Sequence, residues 1–241
     1  MSRALILCVL ALVWTTQAQA REQVLVAVAA NFAQVARALE PEFEARHDAD
    51  IVLVVGATGQ LYAQIRAGAP YQVFLAADQA RPQRMETEGL AIKDSRRTYA
   101  VGQLALWSPD PARVIGPQSL QGDGFIAMAN PDLAPYGTAA AQVLAQLQVE
   151  TKGRLAMGQN VGQAFAMVAT GNADLGFVAQ SALGGQGGSH WLVPSDLHDP
   201  ILQDAVLIQG AGEMAAAFLE FLSSVPARAV ISKYGYEAVD G

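Results

Sequence analysis

Four short turns in this chain are nearly free of charged residues. Asn31 follows VLVAVAA, Thr58 follows IVLVVGA, Tyr136 follows FIAMANPDLAP and Val161 follows RLAMGQN. Apart from Asp132, no Lys, Arg, Asp or Glu stands in these turns between the end of the apolar run and the first helical turn. What they offer is neutral: a hydroxyl, an amide and backbone N–H groups. A helix start leaves N–H groups unpaired and carries roughly half a positive charge. Several starts aimed at one point make a cage of donors for an oxyanion. The turn Gly56-Ala57-Thr58-Gly59 has the pattern in its sharpest form, because no Lys follows it as one does in a nucleotide-hydrolysing phosphate loop.

A plainer reading stands beside this one. Asn and Thr are ordinary helix N-caps, and Asn31 and Thr58 each fit that role. Tyr136 fits a packing aromatic in a Pro-rich turn, and Val161 a core residue of a first turn. Capping alone does not account for four turns so nearly free of ionised side chains. Catalytic readings fare worse. There is no G-x-S-x-G elbow and no G-x-G-x-x-G after the first strand. His47, His190 and His198 lack metal-ligand spacing. Ser189, His190 and Asp196 are loop neighbours that any loop of this composition could supply. Tyr234 and Tyr236 read as packing residues near the end of the chain.

The elements that must position the four turns repeat one grammar: an apolar run, a small or polar turn, then a helix with apolar spacing. VLVAVAAN leads into FAQVARAL, where Phe32, Val35, Ala36 and Leu39 share a helical face. In the second unit Leu61 and Ile65 face inward, and the other two units run into TAAAQVLAQL and VGQAFAMVATG. Fully apolar strands alternating with helices imply a parallel sheet covered on both faces, with ligands at the carboxyl ends of its strands. YQVFLAAD, TYAVGQLALWS, DLGFVAQ and DAVLIQG are further strands, and Asp78 is placed to cap the helix after the first of them. Glu213 to Tyr234 is helix-rich. Leu183 to His190, LGGQGGSH, reads as a flexible connection.

Place and charge come from the ends and the totals. Arg3, the apolar run Ala4–Trp14 and Ala18-Gln19-Ala20 predict a cleavable signal peptide over residues 1–20 and export to the periplasm. The run is shorter than the ~20 residues of a membrane span. The single cysteine, Cys8, lies inside it, so the mature chain is not a disulfide scaffold. The net charge is −7, and −8 once Arg3 is removed, which argues against nucleic acid and anionic membranes as partners. An anion site in such a chain must be local.

VAVAANF, GATGQLYAQIRAGAPYQVFLAAD, NPDLAPYGTAA, QNVGQAF and GNADLGFVAQ resemble the periplasmic molybdate-binding component of an ABC transporter, over almost the whole mature chain. The resemblance implies a type II periplasmic-binding-protein fold, α/β, with two lobes that are each a mainly parallel sheet flanked by helices and a ligand cleft between them. TYAVGQLALWS and the segment near Pro194 read as the crossovers between the two lobes, which gives lobe 1, residues 21–100 and 197–241, and lobe 2, residues 101–196. The resemblance also implies molybdate or tungstate as ligand, no cofactor, a membrane permease as partner and a monomeric state. Carried over by position, the contacts fall on Asn31, on the hydroxyl and N–H of Thr58, and on the backbone N–H groups of Tyr136 and Val161. Some relatives place a Tyr where this chain has Ala179. Both anions are unprotonated tetrahedral dianions at neutral pH and need donors only. Sulfate is the alternative cargo within that class. The same fold also serves as a sensor in transcription regulators, which the signal segment and the lack of a helix-turn-helix argue against.

Overall fold

The runs Glu22–Ala29 and Ala49–Gly56 form β1 and β2, paired in parallel with level ends, Ala29 opposite Gly56. The computed structural model describes residues 21–237, so the predicted signal peptide lies outside the described residues. The further strands are β3 Val73–Leu75, β4 Arg97–Gly102, β5 Leu104–Ser108, β6 Ile126–Ala129 and β7 Leu155–Gly158. They are followed by β8 Leu175–Ala179, β9 Ser189–Leu192 and β10 Ile201–Leu207. Two five-stranded sheets result, in the orders β2-β1-β3-β10-β4 and β7-β6-β8-β5-β9. In each, one strand runs against the other four: β10 is antiparallel to β3 and β4, and β5 to β8 and β9. The sheets are thus mainly parallel, as expected, with one reversed strand apiece.

The chain changes sheet at Gln103, between β4 and β5, and returns in the segment between β9 and β10. TYAVGQLALWS, one apolar run in sequence, is therefore two strands in two sheets. His190 and Ser189, read as part of a flexible connection, belong instead to the edge strand β9, which pairs with β5. The alternating exposure of SHWL, half-buried then open, hides it from an apolar-run search.

Helices cover both faces of each sheet. α1 (Ala33–Glu44), α6 (Glu213–Phe221) and α7 (Val225–Lys233) pack on one face of the first sheet, with Phe32, Val35, Leu39, Phe43, Phe218 and Ile231 in the core. α2 (Thr58–Arg66) and α3 (Ala80–Thr87) cover the other face through Leu61, Ile65 and Met85. In the second sheet α4 (Pro135–Gln146) and α5 (Val161–Ala169) take opposite faces. The predicted face of α1 is as the spacing required: Phe32, Val35, Ala36 and Leu39 are all wholly buried. Each large apolar side chain so buried contributes about 1.5–3 kcal/mol. No single helix among the described residues is long and apolar enough to cross a membrane.

The N-cap readings need correction. Asn31 lies within a 3-10 turn, Ala30–Phe32, that runs into α1, and its side chain caps neither. Thr58 is the first residue inside α2, with Ala57 before it as the cap. Both have other uses. Asp78 does hold the start of α3, accepting the Arg81 N–H at 3.0 Å.

Candidate functional site

The level strand ends decide where the helix starts go. Ala29 and Gly56 finish side by side, as do Ala129 and Gly158 of the parallel pair β6 and β7. Each pair launches two helix starts toward the cleft. In lobe 1 these are the 3-10 turn at Ala30–Phe32 and α2, and in lobe 2 they are α4 and α5. Asn31, Thr58, Tyr136 and Val161 are 6, 1, 2 and 5 % exposed, so all four starts are withdrawn from bulk water.

Direct contacts bring the starts together across the cleft. The Gly59 N–H in α2 donates to the Leu133 carbonyl ahead of α4 at 2.9 Å. Arg81 donates to the Asp132 carbonyl at 3.2 Å, and Gln60 to the Gln159 side chain at 2.6 Å. A Cβ built on Gly162 would lie 3.7 Å from the Ala30 Cβ, so the α5 start faces the 3-10 turn. The two lobes are closed on each other.

Local pairing then leaves only certain donors free. At α4, Pro135 has no N–H, and the Gly137 and Thr138 N–H groups both go to the Ala134 carbonyl, which leaves that of Tyr136. At α5, the Asn160 side chain takes the Gln163 N–H and its carbonyl takes that of Ala164, which leaves Val161 and Gly162. Thr58 Oγ1 accepts the Ala77 N–H at 3.2 Å, and its own hydrogen has no acceptor among the described residues. Gly137 is needed for the fit of α4 to β6, because a Cβ there would stand 2.4 Å from the Ala129 carbonyl oxygen.

The electrostatics are those of a neutral donor set. Asp132 is exposed, and its carbonyl and N–H are spent on Arg81 and the Asn130 side chain. One opening between the lobes is lined by Asn31, Val161, Gly162, Ala179 and Arg37, the last being its one ionised side chain. Ala179 is buried and brings no donor beyond its backbone. No group of three or more His, Cys, Asp or Glu suited to a metal ion exists among the described residues.

Sequence reasoning missed the polar cluster behind these starts: Gln203, Tyr99, Tyr236 and Ser181, all buried. The signal was available, since ILQDAVL sets two adjacent polar residues in an otherwise apolar strand. A shift of register between Gln203 and Asp204 interrupts the β10–β4 ladder and re-aims both side chains. Asp204, fully buried, turns to Arg96 at 2.7 Å, Thr98 at 2.7 Å and Gln79 at 3.0 Å. Gln203 turns to Asn31.

Burial pushes the phenols of Tyr99 and Tyr136 well above their ordinary range. Burial also raises Tyr236 to about 12, against opposing hydrogen bonds from Ser181 and Asn31. A phenol raised in the fold adds stability that is complete below the unfolded value near ~10 and lost as pH rises through the folded value. Melting temperature should therefore fall progressively above about pH 10 as these three ionise, while anion affinity stays flat from about pH 6 to 9. Phenolate absorbance followed against pH checks this. All the tyrosines ionising together near pH ~10 would mean that these three hydroxyls are solvated.

Two helix-covered sheets, joined by two crossing segments and closed over facing helix starts, make a two-lobed periplasmic-binding-protein fold of type II. The chain belongs to the family described as bacterial extracellular solute-binding protein, whose profile matches residues 24–237. It is similar to the molybdate-binding protein ModA of Rhodobacter capsulatus, 45 % identical over 221 residues, covering 89 % of this chain and 88 % of that protein. Its fold matches the periplasmic molybdate-binding protein of Azotobacter vinelandii with a TM-score of 0.86 and 37 % identity, over 90 % of this chain and 100 % of that one. The sulfate-binding protein SubI of Mycobacterium tuberculosis shares the fold at a TM-score of 0.76 but only 14 % identity, over 91 % of this chain and 88 % of that one.

Proposed function

We propose that the chain is an exported binding protein that captures molybdate, and tungstate with it, between its lobes and hands the anion to the membrane permease of an ABC transporter. The observation that carries this reading is the set of buried helix starts, two from each lobe, whose remaining donors are neutral. Asn31, Thr58, Tyr136 and Val161 supply those donors: backbone N–H groups from each, and the Thr58 hydroxyl. A fully ionised dianion needs only donors, and a carboxylate in the cage would repel it. Phosphate keeps a proton near neutral pH and wants an acceptor, which these starts do not supply. The similarity to the molybdate-binding proteins of Rhodobacter capsulatus and Azotobacter vinelandii supports the choice of molybdenum oxyanion over sulfate. The chain acts as a monomer and a carrier, without cofactor or catalysis.

The test is a melt of the mature protein with molybdate, tungstate, sulfate, phosphate and chromate in turn. Ligand at ~1,000 times Kd adds ~4 kcal/mol. For a chain of this size that raises the melting temperature by roughly 8–16 °C. Molybdate and tungstate should give shifts of that order, and sulfate at equal concentration little. Equal shifts with sulfate would remove the molybdate assignment and leave the fold untouched.

A further inference from the structure

We propose that Gln203 and Tyr236 are positioning residues of the anion site, which orient the Asn31 helix start and couple it to closure of the lobes. The inference rests on the oxyanion reading above. Asn31 Nδ2 donates to Gln203 Oε1 at 2.8 Å and to the Tyr236 hydroxyl at 3.0 Å. Both amide hydrogens are thereby taken up within the protein. The Asn31 carbonyl accepts the Tyr236 hydroxyl and the Ser181 hydroxyl, each at 2.9 Å. The side chain and carbonyl being fixed, what Asn31 has left for an anion is its backbone N–H. The Tyr236 ring packs edge-on against Phe32 at 5.4 Å, which holds its hydroxyl in place.

Beside the direct bond from Ser181 of lobe 2 to the Asn31 carbonyl, Gln203 also joins the lobes. Its Oε1 holds Asn31 and also accepts the Tyr99 hydroxyl at 3.1 Å, both in lobe 1. Its Nε2 reaches, at a long 3.4 Å, the hydroxyl of Tyr136, whose own N–H is the donor at the α4 start of lobe 2. One amide therefore links two helix starts that belong to opposite lobes. It does so from β10, the strand that receives the chain on its return from lobe 2. The companion strand β4 makes room for the link. A Cβ on Gly102 would stand 2.2 Å from the Tyr136 hydroxyl oxygen and 2.5 Å from Gln203 Nε2. When the lobes part, Tyr136 leaves Gln203 and the Ser181 hydroxyl leaves the Asn31 carbonyl, so Asn31 keeps its lobe 1 partners but loses the support that lobe 2 gave them.

Four proteins separate this role from mere packing: the parent, Gln203→Met, Tyr136→Phe and the double variant. A fifth, Tyr236→Phe, tests the other hydroxyl. Calorimetric titration with molybdate is paired with ligand-free melts. The single variants should each lose ~10-fold or more in affinity, on the scale of one buried hydrogen bond with its abandoned partner. Because Gln203 and Tyr136 act as one link, the double variant should lose little more than the worse single. Affinities within twofold of the parent, or losses in the two singles that multiply in the double, would overturn the proposal. If Gln203→Met does not fold, Tyr136→Phe and Tyr236→Phe, which each remove one oxygen, decide alone. A parent that takes up no molybdate removes the oxyanion reading itself, which the variants do not address.

Discussion

Asn31→Asp is expected to lower molybdate affinity by at least ~1,000-fold, or ~4 kcal/mol. A carboxylate ~4 Å from a bound dianion, at an effective dielectric of ~20, costs about 8 kcal/mol. Protonation of the Asp or a turn of its side chain relieves part of that. As a simple helix cap, Asp would serve as well as Asn and leave the empty protein unchanged. The buried setting predicts otherwise. Asn31 is 6 % exposed and donates two hydrogen bonds that a carboxylate cannot make. The empty variant should lose ~1–3 kcal/mol at neutral pH. A buried Asp has a raised pKa, so the part of this destabilisation that comes from its charge is absent below the unfolded value near ~4 and develops as pH rises through the folded value, while the second donor is missing at every pH. Calorimetric titrations and ligand-free melts at acid and neutral pH check both halves. Parent-like binding would remove Asn31 from the cage.

Gly137→Ala is expected to cost stability and affinity together. The new methyl would stand 2.4 Å from the Ala129 carbonyl oxygen and 2.8 Å from two backbone carbons at the end of β6. None of these is the flexible tip of a side chain, so α4 must retreat. Overpacking of this kind costs ~1–3 kcal/mol, or roughly 2–12 °C in melting temperature for a chain of this size. The retreat carries the Tyr136 N–H away from the cleft, and affinity should fall ~10-fold or more, since each tenfold is only ~1.4 kcal/mol. Gly184→Ala is the control, because a Cβ there meets nothing within 4 Å. A Gly137→Ala melt equal to that of the control would mean that α4 does not depend on this close approach.

The parts of the fold legible in sequence were those written in local periodicity. Phe32, Val35, Ala36 and Leu39 announce the buried face of α1 because a helix repeats every 3.6 residues. The turns at Thr58 and Val161 announce helix starts because an apolar run stops there. Strand direction is not local. Nothing in DAVLIQG or LALWS marks β10 or β5 as the reversed strand of its sheet, since reversal depends on where the chain came from. The break at Gln103 is silent for the same reason: apolar residues on both sides are buried in different sheets. Asn31 was legible as a polar residue at a helix start, but not as a donor to Gln203, 172 residues away. Adjacent polar residues in a buried strand were the available clue, and their partners needed the fold.

The hydrogen bonds across the cleft have a thermodynamic consequence. Gly59 with Leu133, Arg81 with Asp132, and Gln60 with Gln159 join the lobes directly, protein to protein. These bonds add to the stability of the closed form itself, whichever anion the lobes enclose. The measured affinity for any anion is its intrinsic affinity for the closed form multiplied by the fraction of empty protein already closed. Weakening these bonds scales the affinity of every anion by one common factor and leaves their ranking intact. Strength of retention and choice of cargo are therefore set by different residues, and each can change without disturbing the other.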